Sequence, residues 1–318
     1  MTTSIAVVIP CFKVRAHILG VLSQIGPQVT KIYVVDDACP EGSGEHVRNH
    51  FFDQRLSIIK LPVNLGVGGA VVEGYKAAIN DKMTVIVKID GDGQMDPALI
   101  DDFTDPILAG EADYTKGNRF YNLEKIGDMP LIRLVGNSGL SFITKISSGY
   151  WDIFDPTNGY TAIHKDVLIR LPFAKISKRY FFESDMLFRL NLLKAVVVDI
   201  PMSSNYGEEK SNLKISQVFF EFTYKHFKNF LTRVLYNYYL RDMSLASIEL
   251  PIGVLLVLFG LSYGGYNWYK FAGFGLQTPV GTAVISAISI LLGIQFVLAF
   301  LAFDISSLPR RVRHRSKN

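Results

Sequence analysis

The chain has 318 residues, enough for one large domain or two smaller ones, and 49% of them are hydrophobic. A formal net charge of +4, from 33 basic and 29 acidic residues, gives no basis for nucleic-acid binding. Two cysteines, Cys11 and Cys39, with no CxxC spacing argue against both a zinc site and a disulfide framework.

Met1 to Ser4 is polar and the next apolar run is only Ile5 to Ile9, so no secretory signal is expected. From there to about residue 110, short Val- and Ile-rich runs alternate with helical patterns. The runs are Ile5–Ile9, Ile32–Val35, Leu56–Lys60 and Thr84–Ile89, and Gly68–Asn80 is the clearest helix. Continuous apolar strands separated by helices predict an α/β fold with a mostly parallel sheet covered on both faces. In such sheets ligands sit beyond the carboxyl ends of the strands. Polar motifs fall at four of those ends: "PCFK", "DDACPEGSG", "NLGVGG" and "DGDGQ".

Residues 214 to 240 predict an amphipathic helix. Lys214, Lys225 and Lys228 gather on one side, Ile215, Phe219, Phe222 and Phe230 on another, and Arg233 interrupts the apolar side. Such a helix suits a membrane interface, or packing on its own domain or a second subunit, so a homo-oligomer is open. Leu250–Tyr269 and Val280–Phe303 contain no Asp, Glu, Lys or Arg. Each is long enough to cross a bilayer, which takes about 20 helical residues. Arg310, Arg311, Arg313, Arg315 and Lys317 follow the second run, whereas the connector between the two runs has only Lys270. Positive-inside bias places the tail in the cytoplasm, and two crossings place the N-terminal domain there as well. The expected layout is a domain over 1–212, juxtamembrane helices over 213–245, two transmembrane helices over 246–304 and a basic cytoplasmic tail over 305–318.

The stretch "VKIDGDGQMDP" ends an apolar run on Asp90 and Asp92, with Gly91, Gly93 and Gln94 around them. Hard divalent cations take oxygen ligands, and Mg2+ commonly uses one or two carboxylates plus substrate phosphates. A solvated Asp-Gly turn is the plainer reading of the same residues. Asp36 and Asp37 can accept hydrogen bonds from a nucleoside or serve a turn. Gly66 and Gly68 begin a G-x-G-x-x-G pattern, but Val71 holds the third glycine position and the motif follows the third strand, which argues against NAD. Small residues there suit close helix–strand packing, and Asn64 can cap the helix or face a ligand. Arg119 in "KGNRF" and Lys210 in "YGEEKSNLK" could neutralise a diphosphate leaving group. Asp155, Glu183 and Asp185 are acceptor-side or base candidates, or helix-dipole partners.

In their order, "VVIPCFK", "VVDDACPEGSG", "NLGVGGAVVEGYKAA", "DGDGQMDP", "GNRF", "DPTNGYTAI", "FESDMLFRL" and "YGEEKSNLK" resemble a family 2 glycosyltransferase of the polyprenyl-phosphate class. Dolichol-phosphate mannose synthase and bactoprenol glucosyltransferases are its familiar members. The resemblance implies a GT-A fold and transfer of a sugar from a nucleotide-sugar, UDP-hexose favoured and GDP-mannose the alternative, to a polyprenyl phosphate such as undecaprenyl phosphate. It implies Mg2+ or Mn2+ at Asp90, Asp92 and Gln94, with Asp92 central. It also implies nucleoside contacts from Pro10 and Asp36 or Asp37, and phosphate contacts from Arg119 and Lys210. Asp185 or Glu183 would orient the acceptor. Many relatives carry an arginine before the YGExK segment, where this chain has Ser203, Ser204 and Asn205, and Gly91 stands where dolichol enzymes typically have alanine.

Other classes fit less well. A membrane-tethered nucleotide-sugar sensor would have no need of the intact Asp90-x-Asp92. A processive polysaccharide synthase needs more spans and a QxxRW-like motif. A transporter needs ionisable residues within its spans.

Overall fold

A computed structural model describes residues 3–121, 131–203 and 215–315. The chain divides into two compact units, Met1–Phe230 with Pro309–Asn318, and Leu231–Leu308. The strands are β1 Ile5–Cys11, β2 Val29–Asp36, β3 Leu56–Lys60, β4 Val85–Lys88, β5 Tyr114–Asn118, β6 Thr161–His164 and β7 Val197–Pro201. The α-helices are α1 Ile18–Ser23, α2 Ser43–His50, α3 Val67–Asn80, α4 Ile100–Ala109, α5 Leu131–Ser148, α6 Lys165–Leu168, α7 Phe182–Leu192, α8 Ile215–Leu235, α9 Ala246–Gly273 and α10 Val280–Ser306.

The first unit is built on one sheet in the order β3-β2-β1-β4-β6-β5-β7. β3, β2, β1 and β4 run parallel, which bears out the expected architecture. β6 is antiparallel to both β4 and β5. All seven residues of β1 are buried, as an apolar run needs when helices cover both faces of a sheet. Gly74 lets α3 lie directly on the strands, since a Cβ there would overlap Val8 and crowd Val35. The helix–strand packing expected of the small residues in this stretch is therefore present.

The basic tail folds back onto the first unit. Asp113, fully buried, accepts backbone N–H groups from Val196, Arg313 and His314, and its Oδ1 lies 2.8 Å from His314 Nδ1. The His314 ring stacks on His164 at 4.2 Å, and Arg313 Nε donates to the Lys194 carbonyl. Burial and the neighbouring His314 hold the His164 imidazole down at about 4, so it is neutral at physiological pH.

Two helices of this unit wear their polarity inside out. α5 buries Ser141, Thr144, Ser147 and Ser148 while Phe142 and Ile143 are exposed. α8 buries His226 and Asn229 while Phe220, Tyr224 and Phe227 are exposed. The polar faces meet: Ser147 Oγ and His226 Nδ1 are 2.8 Å apart. The exposed aromatics of α8 are thus Phe220, Tyr224 and Phe227, whereas Phe222 of the expected stripe takes the alternative of packing on its own domain. Phe222 turns inward to pack edge-on against Phe181 at 5.3 Å.

The second unit is a helical hairpin. α9 and α10 have 28 and 27 residues, and both are long and apolar enough to cross a membrane. At 1.5 Å per residue each spans about 40 Å. Their seam is made of small residues. A Cβ on Gly253 would press on the Gly293 carbonyl, one on Gly260 would press on Ile290 and the Ser286 carbonyl, and Ser286 Oγ donates to the Gly260 carbonyl at 2.7 Å. Close backbone approach through small residues is how helices associate when lipid removes the hydrophobic drive. Arg233, the irregularity in the predicted helix pattern, is buried against Asp304: Nη1 to Oδ1 is 2.6 Å and Nη2 to Oδ2 is 3.0 Å. The Tyr238 hydroxyl donates to the same Oδ1 at 2.5 Å.

Candidate functional site

The site is assembled where the parallel strands end. After β4 the chain turns through Asp90-Gly91-Asp92-Gly93-Gln94, with Gly93 in the left-handed region at φ 79°. Glycine adopts that conformation at no steric cost. The Gln94 N–H donates to Asp92 Oδ1 at 3.0 Å, which fixes the turn and leaves Asp90, Asp92 and Gln94 half-buried. Gly91 is tightly enclosed: a Cβ there would come within 2.9 Å of Ile18 Cδ1 and 3.2 Å of Val14 Cγ2. An alanine at this position would need those side chains to give.

Beneath the turn lie two buried lysines, each inside a sequence motif of the site, Lys88 in "VKIDGDGQMDP" and Lys116 in "KGNRF". Lys88, the last residue of β4, is 1% exposed, and its Nζ is 2.9 Å from Asp90 Oδ1 and 3.1 Å from Glu183 Oε1. Burial alone would pull its pKa down, but the two carboxylates outweigh that and raise it. Lys116 in β5 is equally buried, and its Nζ donates to the Asn158 carbonyl, a neutral group. There burial wins and the pKa falls to about 8. The available sequence signal is positional: Lys88 closes an apolar strand two residues before Asp90, so strand alternation puts both on one side.

The other expected residues are placed as follows. Asp155, almost fully buried, grips Arg119 through two bonds, Nε to Oδ2 at 2.6 Å and Nη2 to Oδ1 at 2.9 Å. Such a bidentate pair fixes the plane of the guanidinium. Asp185 Oδ2 accepts from the Ser177 N–H and from Arg189 Nε, both within 2.9 Å, and Oδ1 accepts from Asn229. Of the two acids at the head of α7, it is Glu183 that shares Lys88 with Asp90. Pro10 is buried in β1, paired in register with Val35. Lys210, Ser204 and Asn205 lie outside the described residues.

At the end of β2 the two aspartates do different work. Asp37 Oδ1 and Oδ2 accept the N–H groups of Leu65 and Gly66 at 2.6 and 2.8 Å, and the Asp37 carbonyl accepts from Asn64 Nδ2. It therefore ties the "NLG" loop to the sheet. Its pKa is raised by burial in spite of these two bonds. Gly66, at φ 83°, sits against Lys178 and Arg179, where a Cβ would overlap the chain. Asp36 Oδ1 accepts the Cys39 N–H at 2.8 Å and borders a cleft of about 620 Å³. Cys39, Glu45, Lys60 and Leu61 also line that cleft, which opens at the carboxyl ends of β2 and β3.

The donor set suits a hard divalent cation. Asp90, Asp92 and Gln94 offer only oxygen, and among the described residues no group of three His, Cys, Asp or Glu side chains is gathered for a metal. A site with few protein ligands is the kind that Mg2+ or Mn2+ completes with substrate phosphates and water. One oxygen of Asp90 is already committed to Lys88.

The profile of the family described as "Glycosyl transferase family 2" matches residues 6–171, just over half of the chain. A relative from Methanococcus voltae, named UDP-N-acetylglucosamine–dolichyl-phosphate N-acetylglucosaminyltransferase, is 34% identical over 154 residues, covering 48% of this chain and 61% of the relative. The chain thus spans less than two thirds of that relative's length. The polyprenol monophosphomannose synthase of Mycolicibacterium smegmatis is 28% identical over 203 residues, 62% of this chain and 76% of the relative. Among solved structures, glucosyl-3-phosphoglycerate synthase of Mycobacterium tuberculosis with Mn2+, UDP-glucose and phosphoglyceric acid superposes with a TM-score of 0.55 at 16% identity. It covers 73% of this chain and 79% of that one, a likeness of fold. With the sheet order, the carboxylate turn after β4 and the family profile in agreement, the chain belongs to glycosyltransferase family 2 and has its GT-A-like fold.

Proposed function

We propose that this glycosyltransferase inverts configuration as it moves a sugar, a hexose from UDP in the favoured reading, onto a polyprenyl phosphate at a membrane surface. The observation that carries the reading is that the Asp90–Asp92 turn after β4 and the cleft at the ends of β2 and β3 lie on the same carboxyl edge of the parallel strands, in a chain that also has two bilayer-length apolar helices. The relatives that act on dolichyl phosphate and polyprenol support the acceptor class.

In this reading the cleft bordered by Asp36 takes the nucleoside, and Asp37 holds the loop that walls it. Asp90, Asp92 and Gln94 would hold Mg2+ or Mn2+, which when bound offsets charge on the departing diphosphate. Arg119, held flat by Asp155, adds a fixed cation for the same charge. The acceptor phosphate is anionic at neutral pH, so its oxygen attacks the anomeric carbon without a general base. Glu183 is assigned to the acceptor side, and Asp185 to holding the Ser177 loop and Arg189. The exposed Phe220, Tyr224 and Phe227 of α8 and the Phe142–Ile143 face of α5 suit a lipid interface. The tail returning to Asp113 supports a topology with both termini on the cytoplasmic side.

The test is a transfer assay on membranes with undecaprenyl phosphate, a panel of labelled UDP- and GDP-sugars, and Mn2+ or Mg2+. A labelled lipid that requires metal is expected, and Asp92→Ala should reduce it on the order of 10³-fold. A mannosyl lipid formed only from GDP-mannose would replace the donor assignment. Nucleotide-sugar binding with no lipid product from any donor would overturn the enzyme reading in favour of a tethered sensor.

A further inference from the structure

A lysine is an unexpected residue for the end of β4. Val85, Ile86 and Val87 before it and Ile89 after it are fully buried, and an apolar side chain at 88 would continue that core. Burying an ammonium costs several kcal/mol unless carboxylates offset it, and buried ion clusters are often no more stabilising than apolar replacements. The reason for Lys88 is therefore sought in what it touches. Its Nζ meets Asp90 from its own strand end and Glu183 from the head of α7, 95 residues further along the chain. Two carboxylates brought this close would repel each other, and one ammonium between them sets their spacing.

The surroundings keep that arrangement tight. Gly159, in the turn before β6, lies so close that any Cβ would overlap both Asp90 Oδ2 and Lys88 Nζ. Lys116 in the same cradle donates to the Asn158 carbonyl, so it does not substitute for Lys88. Lys88 also holds Asp90 Oδ1, which fixes how the carboxylate is turned.

We infer that Lys88 is a positioning residue that locks the donor-side carboxylate Asp90 to the acceptor-side carboxylate Glu183, so that the two halves of the site are held as one unit. This rests on the reading of Asp90 and Asp92 as the metal and diphosphate face. Its consequence is coupling: disturbing Glu183 should change cation binding at Asp90 and Asp92, although Glu183 is not itself assigned to the cation.

The experiment uses the full chain in detergent, comparing wild type with Lys88→Met, Glu183→Gln, the double variant and Gly159→Ala. Mn2+ binding in the presence of UDP is read by calorimetry, turnover by the transfer assay, and folding by thermal melting. Lys88→Met is expected to melt as a folded protein, bind Mn2+ about 10- to 100-fold more weakly and turn over more slowly by a similar factor. The double variant should lose much less than the product of the single losses, because both remove one interaction. Gly159→Ala, which keeps every charge and crowds the pair, should weaken Mn2+ in the same direction. If Lys88→Met does not fold, Gly159→Ala and Glu183→Gln decide. Lys88→Met or, failing that, Gly159→Ala and Glu183→Gln binding Mn2+ as the wild type does would overturn the inference. So would single losses that simply multiply. A wild type that binds no Mn2+ with UDP would instead defeat the underlying reading of the site.

Discussion

Each unit of this protein buries a cation against carboxylate, and the two arrangements differ in where they open. Arg233 and Asp304 in the second unit are sealed, with 1% and 2% of their side chains exposed. Lys88 is just as deeply buried at 1%, but its partners Asp90 and Glu183 are 26% and 11% exposed. A sealed pair can serve only the architecture around it. A buried cation whose partners reach solvent holds charge ready for something that arrives. Of the two clusters, the one around Lys88 has carboxylates that solvent reaches.

The comparison can be broken most forcefully at Arg233. Arg233→Met removes the ion-pair partner of Asp304 and should cost about 3–5 kcal/mol, read as a lower melting temperature of the full chain in detergent. Arg233→Met with Asp304→Leu should recover most of that loss, and equal losses in both would show that the pair is not the cause. A second, smaller effect is expected at Asp37→Ala. It leaves the Leu65 and Gly66 N–H groups without their acceptor, for about 1–3 kcal/mol and weaker UDP binding. Unchanged UDP affinity would separate the loop from the nucleoside cleft.

Acid sharpens the comparison further. Burial holds the His226 imidazole at about 4, below its ordinary 6.5, so it is neutral when folded. The unfolded chain then binds more protons between those values, and the His226 contribution is complete above 6.5 and lost as pH falls towards 4. The melting temperature should fall across that window, and less in His226→Gln. The smallest expected effect on stability is at the outward stripe. Tyr224→Ser and Phe227→Ser should change stability by no more than about 0.5 kcal/mol. They should raise the lipid concentration needed for half-maximal transfer, and unchanged lipid dependence would remove α8 from the interface.

The parts legible in sequence are those governed by neighbours in the chain. The four parallel strands follow from apolar runs, and the carboxylate turn follows from glycines beside Asp90 and Asp92. The apolar spans announce themselves by length. What the sequence conceals depends on partners far away along it. Arg233 looks like a flaw in an amphipathic pattern because Asp304 is 71 residues further on. The pattern of α8 alone leaves open which face is inside, and Phe181, packing on both Phe222 and His226, decides it. Lys88 reads as one more strand residue because Glu183 becomes its neighbour only when the head of α7 reaches the end of β4. Asp37 pairs naturally with Asp36 as a nucleoside contact, and only the folded loop reveals its grip on Leu65 and Gly66.

The docking of Arg313 and His314 on Asp113 has a mechanical meaning. A head attached to its anchor by a single length of chain can swivel like a ball on a string. Here the chain leaves the head after Phe230 and returns to it at Pro309, so the head is tethered twice. In the proposed function one substrate is confined to a plane, and two lengths of chain rather than one join the two apolar helices to the unit that carries the Asp90–Asp92 turn.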